Sequence, residues 1–242
     1  MALFGTKKYD ESPEAKAHRV ALTGELTFEL VPLKSLDAAV QALPAGAEVS
    51  VTCSPTKGIE ETQRLTAELQ SQGFVPIPHI SARMVRDHTH TVELAEWCRE
   101  LGLRQIFIVG GDAEVPGEYP GAVEFLADFL TTNHGIDTIG VTAYPDGHAF
   151  LSHKTLRWAL HEKQRLLAEA GVNGYCSTQM CFDPDAIAKW LRVEREMGLT
   201  LPVHLGISGV VDKAKLLTMG ARLGIGDSLK YLRKNVGAVV KM

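Results

Sequence analysis

A chain of 242 residues is long enough for one large α/β or all-β domain, or for two small ones. Its 45% hydrophobic and 22% charged residues supply material for a sizeable core and exclude a disordered chain. A formal net charge of −4 gives no electrostatic basis for binding nucleic acid or an anionic membrane, since both need clustered Lys and Arg, and small-molecule chemistry moves forward.

Residues 1–20 read as a polar lead-in arm or helix without the apolar stretch of a secretory signal. No later run approaches the roughly 18 apolar residues that span a bilayer, so a cytoplasmic protein with no membrane partner is expected. From residue 25 onward, short runs rich in Val, Ile and Phe alternate with amphipathic stretches of helical length, the pattern of repeated βα units with a parallel sheet. Strands are predicted over 25–31, 48–53, 74–79, 104–109, 137–142, 173–179 and 201–207, with an eighth near 221–225. Helices are predicted near 35–43, 59–72, 88–102, 119–133, 154–170, 184–198, 211–219 and 227–235. Ser35 is placed to cap the first of these, Gly73 and Gly102 follow the second and third, and Asp183-Pro184 opens the sixth.

Eight units with no proline-rich linker or compositional break predict one closed (β/α)8 TIM barrel over residues 21–242, behind an arm of residues 1–20. An open, doubly wound sheet is the alternative. Gly110-Gly111 is the one obvious glycine pair in a βα loop, and no G-x-G-x-x-G fingerprint follows a strand, which counts against a Rossmann fold. Cys53, Cys98, Cys176 and Cys181 have neither zinc-site spacing nor the density of a disulfide scaffold, and are expected to be reduced packing residues. A redox role is conceivable only for Cys176 with Cys181.

Barrel active sites are built at the carboxyl ends of the strands, and here polar residues fall at nearly all of them. Glu29 lies inside an otherwise apolar first strand, where a carboxylate between Phe28 and Leu30 either points into the barrel mouth or destabilises the strand. Thr52 comes near the end of the second strand and His79 closes the third. Gly111 and Asp112 follow the fourth in VGGD, Tyr144 and His148 follow the fifth in TAYPDGH, and Gln179 ends the sixth in STQMCFD. Each alone has an ordinary structural explanation; their coincidence at successive strand ends points to a site. A metal-dependent hydrolase using His79, Asp112 and His148 is a competing reading, but no H-x-H or H-E-x-x-H spacing occurs and no metal is expected.

The segments FELVP, SVTCSP, PIPHISA, VGGD, AYPDGHAF and STQMCFD occur in this order within about residues 25 to 235, and in this the chain resembles methylenetetrahydrofolate reductases. The resemblance implies a barrel that reduces 5,10-methylenetetrahydrofolate to 5-methyltetrahydrofolate, usually with FAD relaying hydride from NADH or NADPH. It implies Glu29 as the general acid for opening the folate imidazolidine ring, Asp112 and Gln179 as pterin contacts, and Thr52, His79, Gly111, Tyr144 and His148 as residues lining the flavin. Two departures bear on FAD. The family's R-G-D loop reads Gly110-Gly111-Asp112 here, and helix 154–170 does not align with the segment that holds the adenosine and diphosphate, leaving Lys163 and Arg165 to serve. A flavin-independent enzyme, with the nicotinamide passing hydride directly to the folate iminium, is therefore the alternative within the family. A folate-binding protein without catalysis is a further alternative, and it has no use for a proton donor at Glu29. Tetrahydrofolate derivatives are the expected partners, with no nucleic acid; homo-oligomerisation is left open, and no regulatory domain is expected after the barrel.

Overall fold

The computed structural model describes residues 12–114 and 116–209. Among the described residues, helix α1 (Pro13–Thr23) leads into six βα units and a seventh strand: β1 (Phe28–Leu30), α2 (Leu36–Gln41), β2 (Glu48–Val51), α3 (Ile59–Ser71), β3 (Val75–Ser81), α4 (His88–Glu100), β4 (Gln105–Val109), α5 (Ala122–Phe129), β5 (Thr138–Ala143), α6 (His153–Ala170), β6 (Asn173–Thr178), α7 (Pro184–Glu196) and β7 (Val203–His204). A single 3-10 turn, Ala82–Met84, follows β3.

The strands form one parallel sheet in the order β1 to β7, so each strand pairs with its neighbours in sequence. A doubly wound sheet must reverse its order at a switch point. No reversal occurs among the described strands, and the doubly wound alternative is not met. The eighth strand predicted at 221–225 and the helices at 211–219 and 227–235 lie outside the described residues.

Local chemistry explains several of the helix starts. Asp183 accepts hydrogen bonds from the backbone N–H groups of Asp185 (3.0 Å) and Ala186 (3.2 Å), while Pro184 occupies the first turn of α7, where it forfeits no helical bond. Ser152 caps α6 through the Thr155 N–H. Ser35 is a correction: it stands at the N-cap of α2, but its side chain makes no capping bond. Its φ of −91° and ψ of 7° depart from the extended conformation that swings a cap hydroxyl over the first turn.

Alternation along the strands divides the sheet into two faces. Ile80, Ile106, Ile108, Ile139, Val141 and Cys176 face the helices and pack with Leu94, Phe125, Leu126, Phe129, Leu160 and Leu167 in the main core. Val49, Val51 and Leu30 continue that face at the first strands with Leu65 and Leu69 of α3. Ile77, Phe107 and Tyr175 form a separate cluster on the opposite, inner face. None of the four cysteines forms a disulfide; Cys176 is buried in the core and desolvation pushes its pKa up to about 11, while the Cys181 thiol donates to Asp146 at 3.2 Å. Among the described residues no helix is long and apolar enough to cross a membrane.

Candidate active site

The inner face carries most of the polar strand residues. Register places Glu29 beside Ser50 and Ser50 beside Ile77, and then His79, Phe107, Gly140 and Tyr175 in one row across β3 to β6. Thr142, Ser177 and His204 form a third row nearer the carboxyl ends. Gly140 is required in the middle row because a Cβ there would stand 2.3 Å from the Phe107 ring and 2.5 Å from that of Tyr175.

Glu29 stays accessible to solvent, yet protein surrounds its carboxyl group closely enough that desolvation raises its pKa above the usual carboxylate value. Both hold for a group in an open concavity. Thr52 fixes the strand beside it: its backbone N–H (3.0 Å) and its hydroxyl (3.1 Å) both donate to the Leu30 carbonyl. That hydroxyl therefore holds β1 against β2.

His79 is buried within β3, two residues short of the strand end, because β3 continues to Ser81 in register with Val109. Its Nε2 and the Ser50 hydroxyl share a 2.5 Å hydrogen bond, and its ring lies 4.7 Å from that of Phe107. Desolvation lowers its pKa to about 4, so it is a neutral imidazole at physiological pH.

Asp112, Tyr144, His148 and Gln179 occupy the loops beyond β4, β5 and β6. Asp112 is exposed and Tyr144 half-buried. Burial raises the phenol pKa, Thr142 opposes the shift by hydrogen bonding to Tyr144, and the Asp112 carboxylate is close enough to add to it. His148 packs edge-on to Tyr144 at 5.3 Å, and its Nδ1 accepts from the Phe150 N–H. Gln179 lies one residue past β6, its backbone N–H donating to the Ala143 carbonyl at 2.8 Å and its Oε1 accepting from Met180. Gly111 has φ +87°, and a Cβ there would meet the Ser81 hydroxyl at 1.8 Å, so only glycine lets the loop sit this close to β3. The structure thus groups Asp112, Tyr144 and His148 beyond the strands, and His79 with Ser50 on the inner face, next in register to Glu29.

The two cations offered for an FAD diphosphate do not fit that role. Lys163 is buried, donates to the carbonyl (3.3 Å) and hydroxyl (3.4 Å) of Thr142, and desolvation brings its pKa down to about 8. Arg165 is exposed on α6 and engaged by Glu162 and Glu169. With Gly110 in place of the arginine, neither supplies an anion-binding surface at the strand ends. Among the described residues no three His, Cys, Asp or Glu side chains are grouped to hold a metal ion.

Ser50, Phe107, Tyr175 and His204 stand out only in the folded chain. Tyr175 stacks on His204 at 4.5 Å, and its hydroxyl accepts from Gln105 at 3.1 Å. The period-2 alternation of QIFIV and NGYCST marks Phe107 and Tyr175 as sharing a face with their second neighbours, but placing them beside His79 needs the inter-strand register.

Comparison with known proteins gives a family match. The profile described as methylenetetrahydrofolate reductase matches residues 32–225, which starts just beyond Glu29 and includes the loops of Asp112, Tyr144 and Gln179. Among solved structures, the chain is similar to one from Burkholderia cenocepacia J2315, provisionally described as a lyase/mutase, at 15% identity and a TM-score of 0.45, over 93% of this chain and 84% of that one. It is also similar to MenC from Desulfotalea psychrophila LSv54, at 12% identity and a TM-score of 0.42, over 78% of this chain and 55% of that one. With scores this low, neither likeness carries an argument.

Proposed function

The chain belongs to the methylenetetrahydrofolate reductase family, and from that premise we propose that it reduces 5,10-methylenetetrahydrofolate to 5-methyltetrahydrofolate, with NADH or NADPH as the hydride source. The family match over residues 32–225 carries the reading. The sequential, all-parallel strand order supports the further step that the sheet closes as a (β/α)8 barrel.

Glu29 is the general acid. A carboxyl group must hold its proton near neutral pH to donate it, and the desolvation that raises its pKa acts in that direction. Its proton goes to the aryl-side nitrogen as that nitrogen's bond to the bridging carbon breaks; the electron pair stays on the departing nitrogen, and an iminium remains. Hydride adds to the iminium carbon, whose π pair returns to the ring nitrogen, leaving the N-methyl product. Asp112 and Gln179 hold the amide-like edge of the pterin, which offers adjacent donors and acceptors to a carboxylate and a carboxamide. The rest is positioning and exclusion of water.

The misfit of Lys163 and Arg165 to a flavin diphosphate favours direct transfer from the nicotinamide, and no step is assigned to FAD. The test uses reduced nicotinamide deuterated at the transferred position. Direct transfer leaves the label in the product methyl group without added flavin, whereas a flavin relay exchanges it with water. Product formed only after FAD is added would contradict direct transfer. Failure to form 5-methyltetrahydrofolate under either condition would contradict the reductase reading itself.

A further inference from the structure

We propose that Arg83, on the turn after β3, is the positioning residue for Asp112. The inference rests on the reading of Asp112 as a pterin contact. Asp112 is exposed on a loop that begins Gly110-Gly111, two residues with no side chains to anchor it. Arg83 grips that loop on both sides of Asp112. Before it, the Arg83 backbone N–H donates to the Gly110 carbonyl at 3.0 Å. After it, the guanidinium places Nε (3.0 Å) and Nη2 (2.7 Å) together on the Ala113 carbonyl, and Nη1 reaches the Pro120 carbonyl at 3.5 Å.

The Arg83 carbonyl also accepts from the Gly117 N–H at 3.0 Å, so the backbone and side chain of one residue hold Gly110, Ala113, Gly117 and Pro120. Ser81 supplies the floor beneath Gly111. A planar fork that lays two N–H groups on one carbonyl cannot be reproduced by an ammonium, which is a point donor on a flexible stem. The arrangement fixes the backbone on either side of Asp112 before any ligand arrives, and a preorganised carboxylate loses less entropy on binding. It also accounts for a loop that keeps its place with Gly110 where the family has arginine.

Three measurements on the full chain test this. Calorimetric titration with 5-methyltetrahydrofolate should show Arg83→Met weakening affinity by about tenfold or more, the scale of one lost charge-assisted bond, with Arg83→Lys restoring little of it. In a double-mutant cycle, Arg83→Met should have almost no further effect in an Asp112→Ala background. A loss of the same size in both backgrounds would show a general structural role and overturn the proposal, as would affinity within twofold of wild type. Hydrogen exchange of the free protein should show faster exchange over residues 110–120 in Arg83→Met, and intermediate exchange in the milder Arg83→Lys; unchanged exchange in both also overturns it. If the variants show the loop effect but wild type does not bind 5-methyltetrahydrofolate, the pterin reading fails while the hold on the loop stands.

Discussion

Glu29 and His79 illustrate how one inner face sets two proton affinities in opposite senses by the same cause. Desolvation raises the carboxyl and lowers the imidazole to about 4, so both groups favour their neutral forms. For Glu29, ionisation costs the folded state more than the unfolded one, so its contribution to stability is lost as pH rises through the raised folded value. Glu29→Gln should therefore melt at or above wild type at pH 8, with the difference closing near pH 4; a lower melting temperature at pH 8 would show that the carboxylate is a structural partner. For His79 the unfolded chain takes up a proton near the ordinary value of 6.5 and the folded chain only near 4. Stability should fall by about 3 kcal/mol as pH drops across that window. Chemical denaturation of wild type and His79→Gln from pH 7 to 4 isolates the effect, which should be absent in the variant.

At the scale of elements, α6 and α7 are joined by a buried carboxylate. Glu194 is 2% exposed and is held by Arg157 Nε and His161 Nε2, both at 2.9 Å. Removing one partner leaves a buried charge short of compensation, and Arg157→Leu should cost about 3 kcal/mol in denaturant unfolding. A cost under about 1 kcal/mol would place this pair with ordinary surface ion pairs. The cation Arg157 is half of a tertiary contact that no local pattern in the helix announces, and α6 shows the same limit elsewhere. Its amphipathic period was legible, but Lys163 and Arg165, two residues apart, go to the core and to solvent respectively. The cap of α7 was readable in Asp183-Pro184, because a cap is a local event. Ser35 carried a similar signal and failed, because its backbone dihedrals are set by the turn in which Leu36 donates to Leu33.

At the scale of the molecule, the repeated alternation of strand and helix was enough to predict a parallel sheet, since each crossover returns the chain in the same direction. The seven described strands follow sequence order accordingly. Loop residues such as Asp112, Tyr144 and Gln179 were legible because the carboxyl ends of such strands point one way. The inner-face contacts were not, because they depend on the inter-strand register: Ser50 stands opposite Ile77 and reaches His79 diagonally, and Tyr175 reaches diagonally to His204, which stands opposite Ser177. Arg83 was hidden for the same reason, acting on carbonyls roughly thirty positions away in sequence.

Donation of a proton by Glu29 to open the folate ring is read out by steady-state turnover of wild type and Glu29→Gln with 5,10-methylenetetrahydrofolate and reduced nicotinamide. Product should be quantified by mass spectrometry, and folate binding measured alongside. Wild type should yield 5-methyltetrahydrofolate, and the variant should turn over more slowly by roughly 10²–10⁴-fold with binding retained. Turnover by Glu29→Gln close to that of wild type would contradict it.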